Sequence, residues 1–86
     1  MTVLGIESQN KDVEQLAVEF AVGLGRMIRS ARKKKDLTQA ELSQMLGTSQ
    51  QCVSFWENGK QLPSVFSLIR IACALDLELK ISLGGE

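Results

Sequence analysis

Residues 37–60 read LTQAELSQMLGTSQQCVSFWENGK, and this stretch decides the fold. Thr38 and Glu41 have the spacing of a capping box, in which each side chain bonds the other residue's backbone amide, so a helix begins here. Gly47 suits the left-handed conformation that ends a helix. Ser49 is a good N-cap for another helix directly after it. The stretch therefore predicts two short helices joined by a tight turn.

Helical periodicity continues on both sides of this stretch. Apolar residues recur at every third or fourth position between residues 12 and 35, which is the rhythm of one helix face. Gly23 and Gly25 interrupt that segment, so either one long helix or two helices would fit. Ser64 can cap a further helix after the stretch. In the three later helices, the side chains predicted to face the core are Leu42, Met45, Leu46, Val53, Trp56, Leu68, Ile69, Ala72 and Leu75.

The end of the chain has a different period. Apolar and polar residues alternate over residues 77–83, which predicts a β-strand. A strand needs a partner for its backbone groups, and no other segment is as clearly strand-like, so we expect two copies to pair in antiparallel fashion. A register centred on Leu79 sets Glu78 opposite the partner's Lys80, whereas one centred on Lys80 opposes like charges. The predicted pairing involves Leu77, Glu78, Leu79, Lys80 and Ile81.

These patterns together predict one mainly α domain of four or five helices with a short C-terminal strand that pairs across a dimer. With 86 residues, the chain has room for a single core. The predicted parts are an N-terminal tail at 1–11, a helical domain at 12–76 containing the two-helix motif at 38–58, the dimerisation strand at 77–83, and a tail at 84–86.

Composition excludes several classes of protein. The chain has no histidine and no visible catalytic constellation, so an enzyme is not expected. Its two cysteines form no spaced metal-binding cluster, and we expect neither a metal nor another cofactor. No apolar run is long enough to span a membrane and no export signal is visible, so the cytoplasm is the expected compartment.

The formal net charge of zero conceals an uneven distribution. Residues 1–23 carry a net charge of −3, residues 24–60 a net charge of +4, and residues 61–86 a net charge of −1. All of the positive excess therefore lies in the middle of the chain, around the two-helix motif. A surface that faces nucleic-acid phosphates is compatible with this distribution.

Residues 47–60, with Thr38-Gln39-Ala40-Glu41-Leu42 ahead of them, resemble the Cro and lambdoid-repressor type (XRE-like) of helix-turn-helix. The resemblance covers about residues 24–75 and implies a lambda-repressor-like domain. The continuation into residues 74–83 looks like the HipB-like antitoxin branch, in which a C-terminal strand joins two subunits. Ser43 and Phe55 depart from the usual pattern, which has a smaller residue and a polar residue at those places.

The resemblance implies a role for each polar residue of the motif. Glutamine suits base reading because its amide offers one donor and one acceptor, which match adenine N6 and N7 in the major groove. The implied base-reading residues are Gln50 and Gln51, supported by Ser49, Ser54 and Phe55. Phosphate contacts are assigned to Thr38, Gln39, Asn58, Lys60, Arg29 and Lys33. The alternative is that these are solvated polar residues at helix ends.

The resemblance also pairs Arg32 with Glu57 as a structural ion pair. On a helical wheel Arg32 lies about 80° to 90° from the centre of the apolar stripe, so we expect it at the boundary of the core. A boundary pair would contribute less to stability than a buried one. The role implied for both residues is structural rather than base-reading.

The function predicted from these residues is sequence-specific binding of double-stranded DNA by a transcriptional repressor that acts as a homodimer on a pseudo-palindromic operator. The antitoxin likeness adds a toxin protein as a partner and makes the chain an autoregulating antitoxin. The alternative is a protein-interaction module of the same fold without DNA binding. Residues 13–22 favour that alternative because they are apolar on more than one helix face.

Overall fold

The computed structural model describes residues 2–5 and 12–82, and within them the fold is mainly helical, as predicted. The helices are α1 (Val13–Lys34), α2 (Gln39–Leu46), α3 (Gln50–Glu57) and α4 (Val65–Ala74), and the strands are β1 (Thr2–Gly5) and β2 (Leu79–Ser82). The segment that the sequence left as one helix or two is a single helix of 22 residues. No helix in the described ranges has the length and apolar character that crossing a bilayer requires.

Each of the four helices begins at a side chain that accepts a hydrogen bond from the backbone three residues ahead. The caps are Asp12, Thr38, Ser49 and Ser64. Thr38 also has the full capping box, since its own amide donates to Glu41 Oε1 at 2.8 Å. These caps satisfy helix amides that have no partner within the helix, so short polar residues fix where the helices start.

A left-handed residue ends the second helix and sets the turn of the two-helix motif. Gly47 has a φ of 67°, a conformation that costs a side-chain-bearing residue more than glycine. The Thr48 amide then donates to the Ser43 carbonyl at 2.9 Å, which closes the helix end. Because Ser49 caps α3 only two residues later, the turn between the two helices is as short as the sequence predicts.

The core lies between α1 and the three shorter helices. Its buried residues are Leu24, Ile28, Leu42, Leu46, Val53, Trp56, Leu68, Ile71 and Leu75. The prediction of a core position is wrong for two residues, because Met45 is 51% exposed and Ile69 is 49% exposed. In α4 the apolar residues occupy neighbouring positions as well as helical ones, so the periodicity could not distinguish Ile69 from Ile71, which is the one buried.

The C-terminal strand finds a partner inside its own chain. β1 and β2 form a two-stranded parallel sheet in which Thr2 pairs with Leu79 and Gly5 with Ser82. The interpretation of β2 as a lone strand, and of residues 2–5 as part of a tail, is therefore wrong. Only the spatial proximity of the two chain ends reveals this partner, since four residues carry too little alternation to predict a strand.

The predicted strand limits also change. β2 begins at Leu79 rather than at residue 77, because the Leu77 amide donates to the Ala72 carbonyl at 2.7 Å and so closes the end of α4. The predicted strand residue Leu83 and the tails at 6–11 and 84–86 lie outside the described residues. Pairing between two copies of β2 is not addressed by a single chain and stays a prediction.

Candidate nucleic-acid interface

The first turn of α3 presents the two glutamines that the sequence singled out. Gln50 and Gln51 follow the cap Ser49 directly, and all three residues are exposed. The Ser49 hydroxyl accepts from the Cys52 amide at 3.1 Å, so its oxygen is engaged in holding the helix start. Two amide side chains at the solvated N-terminus of a short helix provide paired donors and acceptors for a polar ligand.

The rest of the proposed reading face is less accessible than its first turn. Ser54 and Phe55 are half-buried, one turn further along α3. Asn58 Nδ2 donates to Ser54 Oγ at 3.2 Å, so these two predicted contacts belong to one local pair. Lys60 is exposed just beyond the helix. The structure thus joins the Asn58 amide and the Ser54 hydroxyl near the C-terminal end of α3, and Lys60 follows them in the chain.

The start of α2 is held by two sets of bonds. Thr38 Oγ1 accepts from the Glu41 amide at 3.0 Å, which occupies it as a cap. Gln39 Nε2 donates to Glu57 Oε1 at 3.1 Å and ties the first residue of α2 to the last residue of α3. The sequence analysis missed this bond, because the two residues lie 18 positions apart in the chain and gave no local signal for it.

Glu57 is the centre of a buried network. Arg32 Nε lies 2.6 Å from Glu57 Oε2, and Arg32 Nη2 donates to Oε1 at 2.9 Å, which makes the pair bidentate. The third guanidinium nitrogen, Nη1, donates to the Leu37 carbonyl at 2.7 Å. Bidentate pairing of this kind combines geometric specificity with strong, charge-assisted hydrogen bonds.

The expectation of a boundary position for Arg32 is wrong. Arg32 is only 8% exposed and Glu57 only 5%. The wheel placed the side chain by its angle from the apolar stripe, but burial also depends on α3, which packs on that flank of α1. The hydrogen bond to Glu57 raises the pKa of Arg32 above its ordinary value, and the negative charge of Glu57 adds to this while burial opposes it.

A separate basic surface lies on α1. Arg29 and Lys33, both predicted to contact phosphate, are exposed and line a shallow groove with Arg26, Ser30 and Lys34. No hydrogen bond or ion pair joins any of them to the described residues of α2 or α3. The structure therefore unites the residues of α2 and α3 through Glu57, and it leaves the predicted α1 contacts as a distinct positive face.

Comparison with known proteins places this architecture in a family. The family model HTH_3, described as helix-turn-helix, matches residues 28–81, which is more than half of the chain. The chain belongs to this helix-turn-helix family. The match runs from the second half of α1 to β2 and includes the whole two-helix motif, so the family predicted from residues 38–60 is confirmed.

Three relatives illustrate the range of this helix-turn-helix family. The ImmF control region 10 kDa protein of Bacillus phage phi105 is 43% identical over 58 residues, which are 67% of this chain and 64% of that protein. The restriction-modification controller protein C.AhdI of Aeromonas hydrophila has a TM-score of 0.65 at 31% identity, over 67% of this chain and 88% of its own. This chain spans less than two thirds of the phage phi105 protein.

The third relative is a solved complex. The P22 c2 repressor protein, in complex with a synthetic operator, has a TM-score of 0.62 and 34% identity over 64% of this chain and 83% of its own. A curated relative from Salmonella phage P22, repressor protein C2, is 33% identical over 63 residues. These comparisons support the lambda-repressor-like fold, and they do not identify the chain with the HipB-like antitoxin branch.

Proposed function

We propose that this protein is a sequence-specific regulator of transcription that binds double-stranded DNA and acts as a repressor. The observation that carries the proposal is the pair of exposed glutamines in the first turn of α3, on a helix held to α1 and α2 by the buried Glu57 network. A helix so fixed can enter a major groove as a rigid unit. The likeness to a repressor solved with its operator supports this reading.

The proposed contacts of the interface are of two kinds, contacts to base edges and contacts to phosphates. Gln50 and Gln51 are proposed to read base edges, because an amide can bond adenine N6 and N7 together. The backbone amides at the start of α2, with Gln39, are proposed to hold a phosphate, since the positive end of the helix dipole favours an anion there. Lys60 is proposed to hold a second phosphate beyond α3. Phosphate contacts fix the position of the protein along the duplex, whereas base contacts determine which DNA sequence it prefers.

Replacing either recognition glutamine is expected to lower affinity and to relax sequence preference. Gln50→Ala or Gln51→Ala should cost about 1 to 3 kcal/mol at the preferred site and much less at other sites. Lys60→Ala should weaken all sequences alike and lower the salt slope by about one. Binding of each variant to randomised DNA at several salt concentrations measures both effects.

A matched control is Gln15→Ala, which removes an exposed amide from the first turn of α1 rather than from α3. It should leave affinity and preference unchanged. If both glutamine variants of α3 instead keep the preference of the native protein, the base-reading assignment is wrong.

The regulator is proposed to act as a homodimer in which residues 77–81 of two copies pair in antiparallel fashion. β1 occupies only one edge of β2, so the other edge can accept a second strand. Glu78 and Lys80 are both exposed, and the register centred on Leu79 brings each opposite the other residue of the second copy. Twofold symmetry would then present two recognition helices to half-sites about 34 to 36 Å apart on a pseudo-palindromic operator.

Charge reversal tests this strand register. Glu78→Lys and Lys80→Glu should each weaken the dimer, because like charges then face each other twice, and the variant carrying both changes should recover it. Sedimentation equilibrium of the full chain measures the dissociation constants. Point changes are preferable to deletion, because Leu77 and Leu79 pack against the core. A dimer that tolerates both single changes would remove this strand edge from the interface.

The antitoxin role extends the same proposal. It rests on the likeness of the C-terminal strand to the HipB-like branch and adds a toxin protein as the partner of a cytoplasmic, autoregulating repressor. A toxin reading frame beside this gene would support it, and copurification of the two products would test it directly. The interaction module without DNA binding is the competing proposal, and it predicts no sequence preference in the experiment on Gln50 and Gln51.

A further inference from the structure

A polar cleft of about 230 Å³ lies between the turn of the two-helix motif and α4. One wall is formed by the end of α2, the turn and the first part of α3, and the other wall is formed by α4. The buried residues Leu46 and Trp56 supply its apolar lining, and its polar lining residues are Thr48, Cys52, Ser67 and Arg70. The DNA contacts proposed above involve none of these residues.

One guanidinium is the only charge on either wall of the cleft. Residues 42–56 contain no charged residue, and residues 61–75 contain only Arg70. Among the described residues, no ion pair or hydrogen bond includes Arg70, and its side chain lies instead beside an aromatic ring, with Cζ 5.9 Å from the centre of Phe66. The cleft therefore has a positive charge that no carboxylate of its walls balances.

The position of this guanidinium is set by contacts on two sides. A Cβ added at Gly47 would lie 3.6 Å from Arg70 Nη2, so the side chain reaches from α4 across to the end of α2. The ring of Phe66 flanks the same guanidinium from within α4. A planar fork of N–H donors that is already positioned loses less freedom when it binds an oxyanion than a fully mobile one does.

Two hydroxyl groups add neutral donors to the cleft. The Ser64 hydroxyl donates to Ser67 Oγ at 3.1 Å, so the hydroxyl proton of Ser67 remains available to a ligand. Thr48 is half-buried, and no hydrogen bond among the described residues uses its side chain. One guanidinium and two hydroxyls, with no carboxylate among them, form a donor set that suits the oxygens of a phosphate group.

We propose that this cleft binds a phosphate group, which Arg70 holds together with the hydroxyls of Thr48 and Ser67. Its place in the fold favours a backbone phosphate of the bound duplex as the source. Thr48 directly precedes Ser49 and Gln50, so the cleft adjoins the start of α3, which is the part proposed to read bases. In this respect the inference deepens the proposed function and rests on it.

The length of α2 supports a DNA phosphate as the occupant. The cleft lies at the end of α2, whereas the phosphate site proposed above lies at its start, beside Gln39. α2 has eight residues and is therefore about 12 Å long, which is also about the width of the major groove of B-DNA. The two sites can thus hold phosphates on opposite strands while α3 lies in the groove between them. Such contacts fix position and carry no sequence information.

Removing the guanidinium tests the site on the preferred duplex selected from randomised DNA. Arg70→Gln should weaken binding to every sequence alike, by about tenfold, and should lower the salt slope by about one. Arg70→Lys should keep the salt slope, because the charge remains. Phe66→Leu is the matched control, since it keeps the guanidinium and removes only the ring beside it, and affinity should stay within about threefold of native. Melting curves check that each variant is folded.

Neutralising one DNA phosphate at a time locates the contact. Duplexes that carry a single methylphosphonate at successive backbone positions should reveal one position in each half-site at which the native protein loses affinity and Arg70→Gln loses no more. This non-additivity assigns the cleft to the DNA backbone. Arg26→Gln, which removes an exposed cation of α1, should respond at that position as the native protein does.

Cys52 reports on the cleft in the absence of DNA. Its thiol is half-buried in the cleft, whereas Cys73 is exposed and lies outside it. In the full chain, inorganic phosphate should slow alkylation of Cys52 by iodoacetamide relative to chloride at the same ionic strength, if the cleft also accepts a free phosphate. Cys73 is the internal control, and Arg70→Gln should abolish the protection. Mass spectrometry of the peptides measures both thiols.

The two experiments distinguish the possible sources of the phosphate. Coupling between Arg70 and one backbone position identifies DNA, whereas Arg70-dependent protection of Cys52 without such coupling identifies a small phosphorylated molecule. Absence of both would overturn the phosphate site, and DNA binding that still depended on Gln50 would then leave the proposed function standing. Protection that depends on Arg70 in a protein that binds no DNA would overturn the proposed function and keep the site.

Discussion

The Gly25→Ala variant is expected to lose about 2 to 4 kcal/mol of unfolding free energy, because its added methyl group has no room. A Cβ at this position would lie 2.3 Å from the Trp56 carbonyl oxygen and 2.7 Å from that of Glu57. Both atoms are backbone, so relief requires α1 and α3 to separate along their crossing. Such a separation would also displace α3, the proposed recognition helix, so the proposed DNA affinity should fall with stability.

Gly23→Ala is the matched control, two residues away in the same helix. A Cβ at Gly23 meets no atom within 4 Å, so only the helix propensity of alanine counts, and stability should rise by about 0.5 to 1 kcal/mol. Urea unfolding of the two variants gives both free energies. Equal stability of the two variants would show that α1 and α3 do not cross as closely at Gly25 as the structure has it.

The helix limits could be predicted from sequence because their causes are local. Thr38 with Glu41, and Ser49 within two residues of Gly47, act through bonds that span three residues or fewer, and the sequence displays such spacings directly. The same holds for the cap Ser64 at the start of α4. The helix-turn-helix fold follows from these signals together with the apolar rhythm between them.

Contacts distant in sequence could not be predicted in this way. β1 has only four residues, and its pairing with β2 depends on the two ends of the chain meeting in space. Ile69 and Ile71 are equally apolar, and the packing of neighbouring helices decides which of them is buried. The burial of Arg32 has the same origin, since α3 covers a flank of α1 that a single-helix wheel treats as boundary.

The contacts of the candidate site likewise include local ones that the sequence reveals and distant ones that it does not. That polar amides open α3 is visible in the sequence, whereas the bond from Gln39 to Glu57 connects side chains 18 residues apart. Through this bond, Gln39 at the start of α2 and Arg32 of α1 both bind the carboxylate of Glu57 at the end of α3. The start of α2, proposed to hold a phosphate, and the helix α3, proposed to read bases, are thereby fixed relative to each other.

Removing Glu57 is expected to be as damaging as the change at Gly25. Glu57→Ala strands the buried guanidinium of Arg32, and breaking a buried ion pair from one side costs about 3 to 5 kcal/mol. Arg32→Met should cost a similar amount, because it leaves a buried carboxylate with only the Gln39 amide. Because the pKa of Arg32 is raised, the contribution of the charged guanidinium to stability is fully present at neutral pH and is lost as the pH rises through that value in strong alkali.

A double-variant cycle separates the pair from the cost of burying it. Arg32→Met combined with Glu57→Leu leaves no unpaired charge, so it should be far more stable than the sum of the single effects predicts, as is usual when apolar residues replace a buried ion pair. The exposed pair of Lys35 with Asp76 is the control, and Lys35→Met should change stability by less than about 1 kcal/mol. Additive losses at Arg32 and Glu57, measured by urea unfolding, would show that the two side chains do not act as one buried unit.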